Sequence, residues 1–277
     1  MKKSRIPGLT ISIGLGNRLV YEKGFGYSDV ENQVKATPAT KFRTASIAKT
    51  MTAVLAWKLV EEGKLDLDKP VQAYYPAYPE KKWPVTSRHL LGHLGGVRHY
   101  SNDPFESTTT KYFPTIDAEI AYFANDELLH EPGSKYLYTT FGYNLLGGVV
   151  EKAGGAPFLT QLAEKICKPA GMEATIEDSH FAIIPHRSRG YAILSPQRAK
   201  LLGLSSIAPD SLINSELHDT SIKIPGGGLL STSSDLVRFA SAINRGDLLK
   251  PETVRQMWTE QKTTDGKPTG YGLGQAF

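Results

Sequence analysis

Thr44-Ala45-Ser46-Ile47-Ala48-Lys49-Thr50-Met51 is the stretch that decides how the chain is read, because it sets a serine at a helix start with a lysine three residues on. No Pro or Gly interrupts residues 46–62, and Ile47, Met51, Leu55 and Leu59 recur at every fourth position before Gly63 offers a stop. The spacing predicts one amphipathic helix. Residues at i and i+3 share a helical face with Cβ atoms about 5–6 Å apart, so the Lys49 amine can reach the Ser46 hydroxyl.

A serine hydroxyl attacks poorly until a neighbour takes its proton, and a lysine does so only if its pKa falls toward working pH. The positive end of the helix dipole, burial, and a second cation nearby would each lower it. The same dipole end favours an alkoxide and the oxyanion that follows. An isolated S-x-x-K arises by chance about once in a chain of this length, so other segments must decide.

With 277 residues and 40% hydrophobic content, the chain is expected to form one catalytic body carrying an inserted lobe. Lys and Arg number 32 against 28 Asp and Glu, without a basic run, which gives a nucleic-acid role or polybasic membrane binding no support. Cys167 is the single cysteine, so neither an internal disulfide nor a cysteine-based metal site is available, and it is expected to fill a helix core. No apolar run approaches the ~18–20 residues of a membrane span. Met1-Lys2-Lys3 resembles the start of a signal peptide, but Ser4-Arg5-Ile6-Pro7-Gly8 stands where its apolar region belongs, so the start reads as trimmed.

Leu9, Ile11, Ile13 and Leu15 alternate with small or polar residues, and Gly16-Asn17 precedes Leu19-Val20-Tyr21, which predicts a β-hairpin ending near residues 24–27. A polar run then crosses the surface to Phe42. Beyond Gly63, short helices and Pro-rich connectors predict a helical lobe. Thr86 is placed to cap a helix carrying His89 and His93, an i,i+4 pair that a zinc hydrolase would use, although no third ligand follows at metal-site spacing. Further helices are expected over 116–129, from Thr139 or Thr140 to Gly154-Gly155, and over 158–167. Gly226-Gly227-Gly228 marks a close backbone approach and no phosphate loop. Thr232-Ser233-Ser234-Asp235 reads as a capping-box variant whose helix carries Leu236, Phe239, Ala240 and Ile243. Pro251 begins a last helix through Trp258, and residues 270–277 read as a strand.

Three segments together resemble one family, the serine β-lactamase and penicillin-binding protein group in its class C and esterase-like branch. Phe42-Arg43-Thr44-Ala45-Ser46-Ile47-Ala48-Lys49 is similar to its F-x-x-x-S-x-x-K segment. Tyr138-Thr139-Thr140-Phe141-Gly142-Tyr143 stands where the family carries Tyr-Ser-Asn-x-Gly-Tyr. Gly227-Gly228-Leu229-Leu230-Ser231-Thr232 with Asp235-Leu236 resembles its Gly-Gly-Leu-x-Ser-Thr-x-x-Asp-Leu return to the sheet. Leu90-Leu91-Gly92-His93-Leu94-Gly95-Gly96 resembles a structural marker of the same group. Pro70-Val71-Gln72 and Val97-Arg98-His99-Tyr100 point within it to the mitochondrial serine β-lactamase-like group and its bacterial relatives.

The resemblance implies an α/β (α+β) fold of the β-lactamase/transpeptidase type, with an antiparallel sheet flanked by helices and an inserted, mainly helical lobe. Residues 1–62 would hold the hairpin and nucleophile helix, 63–225 the lobe, and 226–277 the return. It implies a serine hydrolase acting through an acyl-enzyme on a peptide, amide or ester, with Ser46 as nucleophile, Lys49 and Tyr138 moving its proton and Thr140 binding substrate. It implies no cofactor, no metal and no nucleic acid, a small-molecule or peptide substrate, and compatibility with a homo-oligomer. An extracytoplasmic location is favoured over a mitochondrial one. Thr140 offers one hydroxyl where asparagine offers a donor and an acceptor, which disfavours β-lactams as substrates. The family's third motif, Lys or His followed by Thr or Ser and Gly, is expected on a strand beyond Phe277. Lys267-Pro268-Thr269-Gly270 has a residue too many and reads as a hairpin turn. The C-terminal strands are therefore expected to be missing, leaving residues 1–277 as an inactive part of a longer protein with the hairpin's apolar face unburied. The rival reading from another class is a non-catalytic scaffold or ligand sensor on this fold.

Overall fold

A computed structural model describes residues 5–101, 106 and 109–276. The readings of Met1, Lys2, Lys3 and Phe277 lie outside the described residues. Strands β1 (Gly8–Leu15) and β2 (Arg18–Asp29) form the expected hairpin, paired antiparallel from Gly8–Gly26 to Leu15–Arg18. Gly16 and Asn17 take φ of 55° and 61°, the two left-handed positions that a two-residue hairpin turn demands. β2 runs past its expected end because β3 (Val34–Lys35) continues the pairing along Tyr27 and Asp29. Along this hairpin Ile11, Ile13, Leu15, Val20 and Tyr21 are exposed.

A second sheet has the order β4 (Phe42–Arg43), β8 (Leu229–Ser231), β5 (Ile176–Glu177), all antiparallel. β6 (Tyr191–Ile193) and β7 (Leu212–Asn214) form a separate pair. The Thr44 backbone N–H and hydroxyl both donate to the Leu229 carbonyl, at 2.9 and 3.1 Å. That pair of hydrogen bonds pins the entry of helix α1 (Ile47–Glu61) against the chain leaving the triglycine.

Helix α1 is not amphipathic as the four-residue spacing predicts. Met51, Ala53, Val54, Leu55, Ala56 and Leu59 are all fully buried, whereas Ile47 at the expected start of the stripe is 47% exposed. The helix is the centre of the core rather than its edge, with α4 (Thr140–Gly154) and residues 224–227 packed on it. Periodicity marks a buried face and is silent about a helix covered on every side.

Helix α2 (Ser87–Leu91) is capped by Thr86 as expected but stops at Gly92, so His93 lies beyond it with φ of 57°. Helix α3 (Ile116–Ala121) is much shorter than residues 116–129, and turns follow it. Thr139 caps α4 by accepting from the Gly142 N–H at 3.1 Å, and Gly155 ends it in the left-handed region. The helix over 158–167 changes at Ala163 to a π turn that ends at buried Cys167.

Thr232 caps α5 (Ser233–Arg245), but the Asp235 carboxylate does not return to it. It accepts instead from the Ala174 N–H and Thr175 hydroxyl and pairs with Arg238. In the α5 stripe Ala240 is exposed and Ala242 takes the buried place. Helix α6 (Pro251–Met257) follows as expected. Residues 270–276 form a tight turn with Tyr271 bridged to Ala276, and no strand. The turn before it is made at Thr264-Asp265, with the Gly266 N–H bonded to the Thr263 carbonyl and the Thr263 N–H to the Lys267 carbonyl. Among the described residues, no helix is long and apolar enough to cross a membrane.

Candidate active site

Ser46 stands at the N-cap of α1, yet its side chain does not cap. An N-cap serine usually keeps extended backbone angles and spends its hydroxyl on a first-turn N–H. Here Ser46 already has helical angles, φ −66° and ψ −8°, because Ala45 takes up the turn at φ 46°. The exposed hydroxyl is thereby left facing Lys49.

Lys49 is 1% exposed. Its Nζ donates to the Gly226 carbonyl at 2.6 Å and to Thr140 Oγ1 at 3.2 Å, and lies 3.3 Å from Ser46 Oγ. Burial brings its pKa down from 10.5 to about 7, with the charge of Lys223 adding to the effect. Tyr138 lies two residues ahead of α4, with its ring centroid 5.0 Å from Lys49 Nζ. Ser46, Tyr138 and Thr140 line one cavity of about 180 Å³. The structure thus brings all four expected residues together. Thr140 is buried, and its hydroxyl is engaged by Lys49.

Several residues of this cavity escape a reading of sequence alone. Arg43, His99, Tyr100, Lys223, Gly226 and Gly227 also line it, with Ala45 and Thr220. Arg43 is held by Asp178 at 2.5 Å, whereas Lys223 makes no ion pair among the described residues and lies over the Tyr100 ring. Burial, helped by the charge of Arg43 and opposed by Asp178, lowers Lys223 from 10.5 to about 8. Among the described residues, no carboxylate lines the cavity. Sequence names a second cation only as one of three ways to lower Lys49 and does not point to Lys223, since residues 49 and 223 are joined only by folding.

His89 and His93 do not form a pair. The His89 ring accepts the Thr86 N–H at 3.3 Å, and the His93 ring accepts the Thr139 N–H at 3.2 Å. His99 takes the Thr140 N–H at 3.2 Å. Two imidazoles therefore hold the first N–H groups of α4 and with them the position of Thr140. Among the described residues, no group of three or more His, Cys, Asp or Glu is arranged to hold a metal ion.

The Beta-lactamase family model matches residues 1–276. The chain is 31% identical to the human serine beta-lactamase-like protein LACTB, mitochondrial, over 341 aligned positions covering 94% of this chain and 60% of that protein. The octameric penicillin-binding protein homologue from Pyrococcus abyssi superposes with a TM-score of 0.79 at 29% identity, covering 99% of this chain and 61% of that one. D-amino acid amidase from Ochrobactrum anthropi SV3, complexed with D-phenylalanine, superposes with a TM-score of 0.78 at 25% identity, covering 92% of this chain and 71% of that one. The chain thus spans about three fifths of the first two relatives.

Proposed function

Since this chain belongs to the Beta-lactamase family, we propose that it is the serine-bearing part of a hydrolase that cleaves a peptide, amide or ester through an acyl-enzyme. Ser46 Oγ attacks the carbonyl carbon while Lys49 Nζ takes its proton, and Tyr138 shares in passing that proton to the leaving group. Water then attacks the acyl carbon, and the same groups return the proton to Ser46 as the acid departs. The positive end of α1 stabilises the tetrahedral oxyanion.

The observation that carries this reading is the buried amine 3.3 Å from an exposed hydroxyl, with its pKa brought to about 7. A structural lysine of such burial would be expected to pair with a carboxylate. Lys49 instead has the neutral acceptors Gly226 and Thr140. An amide or ester is favoured over a β-lactam because Thr140 offers a single hydroxyl, which already accepts from Lys49, where an asparagine would offer an amide donor and a carbonyl acceptor. The amidase named among the structural relatives is consistent with that preference. Self-association belongs to the proposal too, because the Pyrococcus homologue is octameric.

A fluorophosphonate probe tests the assignment. The full-length protein should take up one label, and Ser46→Ala should abolish it without changing the thermal melt. Equal labelling of Ser46→Ala, or no labelling of the wild type, would leave a scaffold or sensor as the better reading.

A further inference from the structure

Ile224 lines a second cavity, of about 330 Å³, while its neighbours Lys223 and Gly226 line the one beside Ser46. Three carboxylates, Glu119, Glu151 and Glu177, share the wall of this second cavity with the rings of Tyr112, Phe113 and Phe158, and among the described residues no Lys, Arg or His lines it. Glu119 is 1% exposed, and its Oε2 is buried without a hydrogen-bond partner. Burial holds its pKa well above the usual carboxylate range, against the pull of the Ile224 N–H and with Glu151 and Glu177 adding to the rise. Burial also raises Glu177, with Asp219 and Asp178 contributing. Glu151 differs, since it accepts from the Phe158 N–H at 2.9 Å and lies 3.5 Å from Lys152.

A buried carboxyl oxygen left without a partner is rare in folded proteins and calls for an explanation in terms of what the site holds. Here the residue that carries it, Glu119, lines a space at the lower end of the volumes that take small ligands, about 300–1,000 Å³. The aromatic wall suits an apolar stem and the face of a cation. A bare metal ion does not fit, because the carboxylates are not grouped closely enough to ligate one. We propose that this cavity binds a small organic monocation, an ammonium or amidinium on an apolar stem, with its charge toward Glu119 and Glu177 and its stem against Phe113 and Phe158. Binding ionises Glu119: the neutral carboxyl releases its proton to solvent as the cation enters, leaving a carboxylate paired with the ligand. The site is separate from the chemistry assigned to Ser46 and does not depend on it.

Isothermal titration of the full chain with phenethylamine, and in parallel with its neutral counterpart 2-phenylethanol, tests this in two buffers of different ionisation enthalpy. The amine should bind about tenfold or more tightly than the alcohol and release a proton. Glu119→Gln should weaken the amine by about tenfold or more and abolish the proton release. Glu177→Gln, on a more accessible side chain, should weaken it as well, and Ser46→Ala should leave binding unchanged. Equal binding of amine and alcohol, no binding of the amine, or unchanged affinity in both glutamine variants would overturn the proposal. Should Glu119→Gln fail to fold, the alcohol comparison and Glu177→Gln still decide.

Discussion

Lys49 Nζ lies closer to the Gly226 carbonyl oxygen, at 2.6 Å, than to the Ser46 hydroxyl, at 3.3 Å. The amine is therefore anchored by the triglycine and by Thr140, with Ser46 as its remaining neighbour. A neutral amine held by two acceptors keeps its lone pair for the serine proton, which makes a backbone carbonyl part of what orients the base.

That anchoring depends on residue 226 having no side chain. A Cβ there would sit 2.5 Å from Thr140 Cγ2 and 3.0 Å from Asn144 Oδ1. Gly226→Ala should destabilise the fold by about 1–3 kcal/mol through overpacking and slow fluorophosphonate labelling. Urea melts and labelling rates check it, and an unchanged rate would show that the carbonyl contact is dispensable.

The reaction should follow the protonation of Lys49. With its pKa near 7, labelling should be slow below that pH, rise through it, and be lost in Lys49→Met. The sign for stability follows from the same shift. The unfolded chain binds the lysine proton up to about pH 10.5 and the folded chain only to about 7, so this residue makes stability rise with pH between those values. Lys49→Met should flatten that part of the stability profile in urea titrations.

Lys223 adds its charge to the depression of Lys49. Removing it in Lys223→Met should let the Lys49 pKa rise, moving the midpoint of the labelling profile to higher pH. A midpoint that stays in place would deny Lys223 this influence.

His93 is buried neutral, its pKa held near 3 first by burial and then by Lys49 and His99. The unfolded chain takes up this proton below about pH 6.5, so stability should fall as pH drops from there toward 3. His93→Phe should cost about 1–3 kcal/mol near neutral pH by leaving the Thr139 N–H unpaired, and it should weaken the loss on acidification. Urea unfolding at pH values on either side of this window measures both effects.

The hairpin, the start of α1, the cap of α4 and the helix begun by Pro251 were legible because each is written in neighbouring residues. Alternation, a Gly-Asn turn, a threonine before a helix and a proline at its first position act over a few residues. Local signals also misled where packing overrode them. The apolar row of α1 did not reveal a helix covered on all sides, the helix from Ile116 ended at Ala121, and Asp235 turned to Ala174 and Thr175 rather than to its own cap.

Sequence by itself determined the family, the nucleophile helix and the Ser46–Lys49 pairing, because three residues along a helix fix two side chains on one face. Only the tertiary structure decided that Lys49 is buried beside Lys223, that Gly226 anchors its amine, that His93 and His99 hold the start of α4, and that Glu119 is buried at a separate cavity with one carboxyl oxygen unpartnered. Those facts join residues far apart in the chain, and the burial and field that set their chemistry exist only once the intervening segments have packed.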